Sequence, residues 1–138
     1  YKYARLRERG YKSVIHLRDL DYQAVECASE LSSSAGMAAM QNLLTANPPD
    51  AVFAVSDTLA AGALRAIQQA GLRVPEDIAV VGFDGTELAE MISLTTIEQP
   101  SRDIGRKAVN LLLNKIDNPD APTERVMMDW RFISRAST

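Results

Sequence analysis

Three polar residues stand at the ends of two apolar runs, where they could bind a small polar molecule. Ser56 and Asp57 close the run 51–56, and Asp84 follows the run 78–83. A carboxylate there can accept hydrogen bonds from two hydroxyl or amine groups, and leaving such a ligand group unpaired would cost about 1–3 kcal/mol. Structural roles compete, because Asp84 could bond its own backbone in a Phe-Asp-Gly turn and Ser56 could cap a helix. For Asp57, a helix N-cap is the simpler explanation.

The residue types give little support to catalytic sites. Cys27 and His16 are the single cysteine and histidine, so neither a disulfide nor a Cys-based zinc site can form, and no G-x-S-x-G motif offers a serine nucleophile. Gly82 and Gly85 do not make the G-x-G-x-x-G pattern, and no phosphate-binding Gly-Lys-Ser/Thr motif is present. The sequence therefore predicts a binding protein that is not an enzyme and uses neither metal nor cofactor.

Composition predicts one soluble domain. The 138 residues are 46% hydrophobic and 24% charged, and a chain of this size buries roughly two thirds of its unfolded surface. With 15 basic and 18 acidic residues, a net charge of −3 and no basic cluster, this stretch is not expected to bind DNA by itself. No apolar run approaches the length of about 20 residues that spans a membrane, and the lone cysteine favours the cytoplasm. Since the sequence begins at Tyr1, we expect it to be part of a longer chain.

Helical and strand patterns alternate along the chain. Apolar residues at helical spacing predict helices over about 3–17, from a cap among Ser32–Ser34 to 46, from Asp57 to a left-handed C-cap at Gly71, and from a cap at Ser101 to 116. Strands are predicted at 22–27, 51–56, 78–83, 94–99 and 124–132, with the second and third buried on both faces. Alternation with short connections indicates an α/β fold, a parallel-sheet αβα sandwich. In such sheets ligands bind at the carboxyl ends of strands, where the strand order reverses.

Three segments together resemble a known family. They are ARLRERGY (4–11), AVFAVSDTLAAGALRAIQQAGLRVPEDIAVVGFDGTEL (51–88) and LTTIEQP (94–100). The combination of Gly71, Val74-Pro75, Asp77-Ile78 and Gly82-Phe83-Asp84 resembles bacterial transcriptional regulators of the lactose-repressor/galactose-repressor (LacI/GalR) family. The resemblance implies a type I periplasmic-binding-protein-like fold of two α/β subdomains, with a sugar or purine-like effector in the cleft between them. It also implies a helix-turn-helix DNA-binding headpiece ahead of this region.

The resemblance extends to individual residues. It implies that Arg7, Ser56 and Asp84 bind effector, Arg7 through its rigid planar fork, and that Asp57 lies beside them mainly as a cap. Leu31 falls where relatives often place an aromatic that stacks on the ligand, so that stacking face is missing here. Gln99 falls at a crossover between subdomains, where it would sense closure of the cleft.

The same resemblance divides the chain in two. Residues 1–100 would form the C-terminal effector-binding subdomain, and residues 101–138 would supply a helix and a strand that pack on, or cross from, the N-terminal subdomain. The apolar stripe of helix 101–116 could contribute about 1.5–3 kcal/mol for each buried side chain, so we expect a homodimer or a segment-exchanged oligomer to cover it.

The predicted function follows from this division. The chain would be the effector-sensing and dimerisation part of a cytoplasmic repressor, which contacts operator DNA only through its headpiece. The alternative is a periplasmic sugar-binding protein of an uptake system.

Overall fold

The computed structural model describes residues 2–20 and 24–138. Its helices are α1 (Lys2–Leu17), α2 (Ser33–Ala46), α3 (Asp57–Gln69), α4 (Glu87–Met91) and α5 (Ser101–Asp117). Its strands are β1 (Ala51–Phe53), β2 (Ala79–Asp84), β3 (Thr95–Glu98) and β4 (Arg131–Ile133). Over these residues, no helix is both long and apolar enough to cross a bilayer.

The strands form one mixed sheet whose order is β1-β2-β3-β4. The first three strands are parallel and β4 runs antiparallel to β3. This parallel-dominated α/β sheet confirms the predicted fold class. The order does not reverse within the described ranges, so the expected switch point is not found there. Asp84 nevertheless pairs with Glu98 in the register, which brings the carboxyl ends of β2 and β3 side by side.

The core lies between α2, α3 and one face of the sheet, and α2 and α3 are in backbone contact. A Cβ on Gly62 would lie 2.0 Å from the carbonyl oxygen of Ser33, and one on Gly36 would lie 2.3 Å from that of Leu59. Only glycine permits so close an approach. The buried core residues are Met40, Ala60, Ala63, Ala66, Ile67, Ile78, Val80, Ala89 and Leu94.

Several helix ends match the predictions. The Ser32 hydroxyl accepts a hydrogen bond from the Ala35 amide at 3.1 Å and caps α2. At the end of α3, Gly71 takes φ +76° while the amides of Gly71 and Leu72 donate back to Gln68 and Ile67, the arrangement that a left-handed glycine allows.

Two predicted caps are wrong. The N-cap of α3 is Ser56, with Asp57 as the first helical residue, because Asp57 turns inward to partners elsewhere in the fold. Ser101 is the first residue of α5, and the N-cap position before it is held by Pro100, which has no side-chain cap.

Two predicted strands also differ. Tyr22 and Gln23 lie outside the described residues, and 24–27 are not in a strand. The last strand is only Arg131–Ile133, not 124–132, because it pairs with β3 over three positions.

The runs 51–56 and 78–83 are not buried on both faces. Ala51 is exposed on edge strand β1, and in β2 the buried positions, Val80 and Gly82, alternate with half-buried ones.

The segment 135–138, here called the latch segment, completes the hydrogen bonding of β2 and β3. The buried Ser137 hydroxyl donates to the Val80 carbonyl at 2.6 Å and accepts from the Thr95 amide at 2.8 Å. The Val80 amide donates back to the Ser137 carbonyl at 2.8 Å. Arg135 Nη1 donates to the Leu94 carbonyl at 2.7 Å. The latch segment is therefore a structural part of the sheet.

Helix α5 buries no residue. Its side chains at Val109, Leu112, Leu113 and Ile116 are each more than half exposed. The predicted apolar face exists, and the chain leaves it facing solvent.

Candidate functional site

Arg7 reaches from α1 to the carboxyl edge of the sheet. Its Nη1 donates to the carbonyl oxygen of Val55, and its Nη2 lies 3.5 Å from Asp84 Oδ1. The guanidinium carbon sits 3.6 Å from the centre of the Phe83 ring, a cation–π contact. The side chain is only 15% exposed, so a carbonyl, a carboxylate and a ring together fix the direction of its remaining donors.

Asp84 ends β2 in an unusual backbone conformation. Its φ is +118° and that of Gly85 is +72°, a region that costs a residue other than glycine of order 1–3 kcal/mol. The chain must turn sharply here, since a Cβ on Gly85 would lie 2.5 Å from the Glu98 side chain. Asp84 Oδ1 accepts from Gln99 Nε2 at 2.8 Å. The turn therefore directs the carboxylate toward both Arg7 and Gln99.

The charge of Asp84 is not fully compensated. Burial is the main reason that its pKa lies above the ordinary value of 3.8. The positive charge of Arg7 lowers the pKa, the negative charge of Asp57 raises it, and the hydrogen bond from Gln99 lowers it again. The carboxylate side chain remains 34% exposed. It can therefore still accept hydrogen bonds from a bound molecule.

Asp57 lies beneath this surface and is fully buried. Its Oδ2 accepts from the Thr86 amide at 2.7 Å and from the Thr86 hydroxyl at 2.9 Å, and its Oδ1 accepts from the Thr96 hydroxyl at 2.6 Å. Gly82 makes room for it, because a Cβ there would lie 2.5 Å from Asp57 Oδ1. Burial keeps Asp57 away from anything that enters the site from solvent.

The remaining two predicted site residues, Ser56 and Leu31, differ from each other in burial. Ser56 is buried, and its hydroxyl accepts from the Leu59 amide at 3.2 Å, so its capping role is present while its proton is still free to be donated. Leu31 lies in the turn before α2 and is 43% exposed. The structure therefore brings Arg7, Asp84 and Gln99 into direct contact, with Ser56 and Asp57 at the adjoining start of α3. The binding roles of these residues stay predictions.

A cavity of about 300 Å³ opens beside Gln99. Its other walls are apolar and include Phe83, Ile97, Pro100 and Trp130. Trp130 is 64% exposed on the segment before β4.

Sequence reasoning missed Phe83, Thr86 and Thr96 as parts of the site. The available signal was the pair Thr95-Thr96 inside an apolar strand, because a buried hydroxyl requires a partner.

A family model described as a periplasmic binding protein-like domain matches residues 1–138. The chain belongs to this family. Within the family its relatives are LacI-family repressors. The ribose operon repressor of Haemophilus influenzae is 38% identical over 140 residues, covering 97% of this chain and 42% of the repressor. The transcriptional repressor CytR of Escherichia coli is 42% identical over 112 residues, covering 79% of this chain and 33% of CytR. The chain thus spans less than half of either relative.

Solved LacI-family structures have the same fold. A regulator from Enterococcus faecium with bound ribose matches 96% of this chain and 50% of its own at a TM-score of 0.87 and 32% identity. The lac repressor dimer bound to operator and the anti-inducer ONPF matches 99% of this chain and 48% of its own at a TM-score of 0.86 and 32% identity. The resemblance seen in the sequence is confirmed.

Proposed function

We propose that this chain is the effector-binding part of a LacI-family transcriptional repressor and that its effector is a small sugar. The observation that carries the proposal is the contact of Arg7, Asp84 and Gln99 at the carboxyl edge of the sheet. A partly exposed carboxylate accepts from sugar hydroxyls, while a guanidinium and an amide can donate to the neighbouring oxygens. Relatives support a sugar: solved LacI-family structures hold ribose, cellobiose or lactose.

Each proposed contact has a distinct role. Asp84 accepts from two hydroxyls of the sugar, Arg7 donates to an adjacent oxygen, and the Ser56 hydroxyl donates from the start of α3. Gln99 ties Asp84 to the segment leading into α5, so closure of the cleft changes its position. Leu31 offers an apolar contact at the rim without a stacking face. Ribose is the first probe to try, because the ribose operon repressors are 36–38% identical to this chain.

The proposal covers the whole regulator as well. Residues 1–100 form the effector-binding subdomain, and residues 101–138 contribute α5 and β4, which pack on or cross from the other subdomain. Sugar binding would favour one arrangement of the subdomains, and DNA affinity changes only by the difference in sugar affinity between the two. Operator contact through a headpiece, a cytoplasmic location and the absence of catalysis belong to the same proposal. They agree with relatives that are repressors, which disfavours the alternative of a periplasmic uptake protein.

Asp84→Ala in the full-length regulator tests the proposal. The loss of hydrogen bonds to a charged group should weaken the ribose response by at least about tenfold, with operator binding unchanged. Fluorescence titration with ribose and operator binding with and without sugar measure the two effects. Asp103→Ala removes an exposed, ion-paired carboxylate on α5 and serves as the control. A wild-type ribose response from Asp84→Ala would refute the assignment of Asp84.

A further inference from the structure

Among the described residues, the buried Asp57 carboxylate is held by Thr86 and Thr96, which lie next to the proposed sugar contacts. Both oxygens are engaged, Oδ2 by the amide and hydroxyl of Thr86 and Oδ1 by the hydroxyl of Thr96. Thr86 belongs to the turn that follows Asp84, and Thr96 belongs to β3. Taking a carboxylate out of water is costly unless such donors surround it. The three hydrogen bonds therefore tie α3 to this turn and to the adjacent strand.

The backbone conformation of this turn persists only if surrounding contacts hold it. Asp84 and Gly85 have φ values of +118° and +72°, and a residue other than glycine persists in this region only when its surroundings over-determine it. On one side the turn is fixed by the register of Asp84 with Glu98. On the other side it is fixed at Thr86, whose amide and hydroxyl both bond the single oxygen Asp57 Oδ2.

We infer that Asp57 is a positioning residue: through Thr86 and Thr96 it holds Asp84 in the backbone conformation that directs its carboxylate at Arg7 and Gln99. Asp57 thereby sets sugar affinity without touching the sugar. The inference rests on the proposed function for its effect on binding, but the effect on Asp84 exists without a ligand. It replaces the helix cap expected from the sequence.

Two neighbouring threonines allow a matched test. Thr95 and Thr96 are both fully buried on β3, and successive strand residues point to opposite faces. The Thr96 hydroxyl donates to Asp57, whereas the Thr95 hydroxyl bonds Thr138 and the Arg135 backbone. Replacement of either by valine makes the same chemical change at nearly the same depth.

In the full-length regulator, Thr96→Val should weaken ribose binding by about tenfold, the lower end of the effect of losing one hydrogen bond to a charged group. Thr95→Val should change it by less than about twofold while destabilising the fold to a similar extent, and Thr96→Ser should restore binding. Isothermal calorimetry and thermal unfolding measure the two properties. Equal losses of affinity in the two valine variants, or none in Thr96→Val, would overturn the inference.

A second variant guards against misfolding. Thr86 is exposed at the surface, so Thr86→Val removes its hydroxyl from Asp57, together with the cap that this hydroxyl gives the Ala89 amide of α4, without opening the core. Its ribose affinity should fall, and Thr86→Ser should recover it. If Thr86→Ser does not recover ribose affinity, the inference is also overturned.

A readout without ligand separates this inference from the proposed function. In wild type the Gln99 side-chain amide donates to Asp84, so its NMR signal should exchange slowly with solvent. Exchange should become faster in Thr96→Val and stay slow in Thr95→Val. If wild type binds none of ribose, cellobiose or lactose, the proposed sugar function fails, and the exchange of the Gln99 amide alone tests the positioning role of Asp57. Unchanged exchange in Thr96→Val refutes that role. Faster exchange in Thr96→Val but not in Thr95→Val supports it.

Discussion

Asp84 combines a partly desolvated charge with an unfavourable backbone conformation, and we expect both to lower the stability of the unliganded protein. Burial is the main cause of its raised pKa, and the negative charge of Asp57 adds to the rise against the opposing effects of Arg7 and Gln99. A bound sugar that donates to this carboxylate would replace the lost water. Because the sugar-bound form would not have this desolvation cost, sugar binding would stabilise the folded protein.

Asp84→Asn should therefore stabilise the unliganded protein at neutral pH. Because the folded pKa lies above the ordinary 3.8, the wild type keeps its full stability below that value and loses some as pH rises through the folded pKa. The advantage of the variant should thus grow between about pH 4 and about pH 7. Thermal unfolding across this range measures it. If Asp84→Asn is less stable than wild type at neutral pH, the expected stabilisation is wrong.

Asp77→Asn is the matched comparison. Hydrogen bonds from the Arg73 side chain and then its amide lower the pKa of Asp77, so its contribution is present above the ordinary pKa and lost on acidification. The asparagine variant should be the less stable one at neutral pH, opposite to the variant of Asp84.

At the residue scale, the family pattern placed Arg7 and Asp84, which are 77 positions apart, in one predicted effector site. The contact of Gln99 with Asp84 was not part of that prediction. Asp57 was misjudged because an acidic residue before a helical pattern usually caps it. Its actual partners are 29 and 39 positions away. No local pattern reports such a contact, so the buried layer beneath the site could not be read from the sequence.

At the scale of elements, α2 and α3 approach each other closely enough for their backbones to touch. Glycines on both helices allow the backbones to touch, and α3 begins at Ser56 and Asp57 in the proposed site. A change in the spacing of these helices would therefore reach the site through the start of α3.

Gly62→Ala should destabilise the protein by about 1–3 kcal/mol, the usual cost of overpacking a core, since its Cβ would meet backbone atoms at 2.0 Å and 2.6 Å. Gly105→Ala, in α5 where the added Cβ would meet no described atom within 4 Å beyond the neighbouring residues and backbone of its own helix, should instead stabilise it by up to about 1 kcal/mol through helix propensity. Urea unfolding measures both. The interpretation fails if Gly62→Ala is as stable as wild type.

Helices were predicted more accurately than strands. Apolar spacing and caps are local, and α1, α2, α3 and α5 all lie close to their predicted bounds. A strand exists only where a partner strand bonds it, so an extended pattern over 124–132 could not show that pairing with β3 is limited to Arg131–Ile133.

At the scale of the whole molecule, α5 is an amphipathic helix that buries none of its residues. Leu112 and Ile116 are 61% and 63% exposed, and a contiguous apolar face of this kind marks an interaction surface. We expect a second copy of this chain or another part of a longer protein to cover it.

The isolated 138-residue chain should therefore self-associate. Leu112→Asp should raise the dissociation constant by at least about tenfold, because a charge replaces a side chain worth about 1.5–3 kcal/mol when buried. Asn110→Asp adds the same charge at another exposed position of α5 and should have little effect. Sedimentation equilibrium distinguishes them. A wild-type chain that stays monomeric at every concentration would show that the face is stable in water.

The latch segment also has a consequence for synthesis. The Val80 carbonyl and the Thr95 amide obtain their side-chain partner from Ser137, which follows them by 57 and 42 positions. A ribosome adds roughly 5–20 residues each second, so both strands leave the tunnel seconds before that serine does. During this interval the Val80 carbonyl of β2 and the Thr95 amide of β3 lack this hydrogen-bond partner. A chaperone that binds nascent chains would find them most exposed at that moment, and a product halted before Ser137 would keep them exposed.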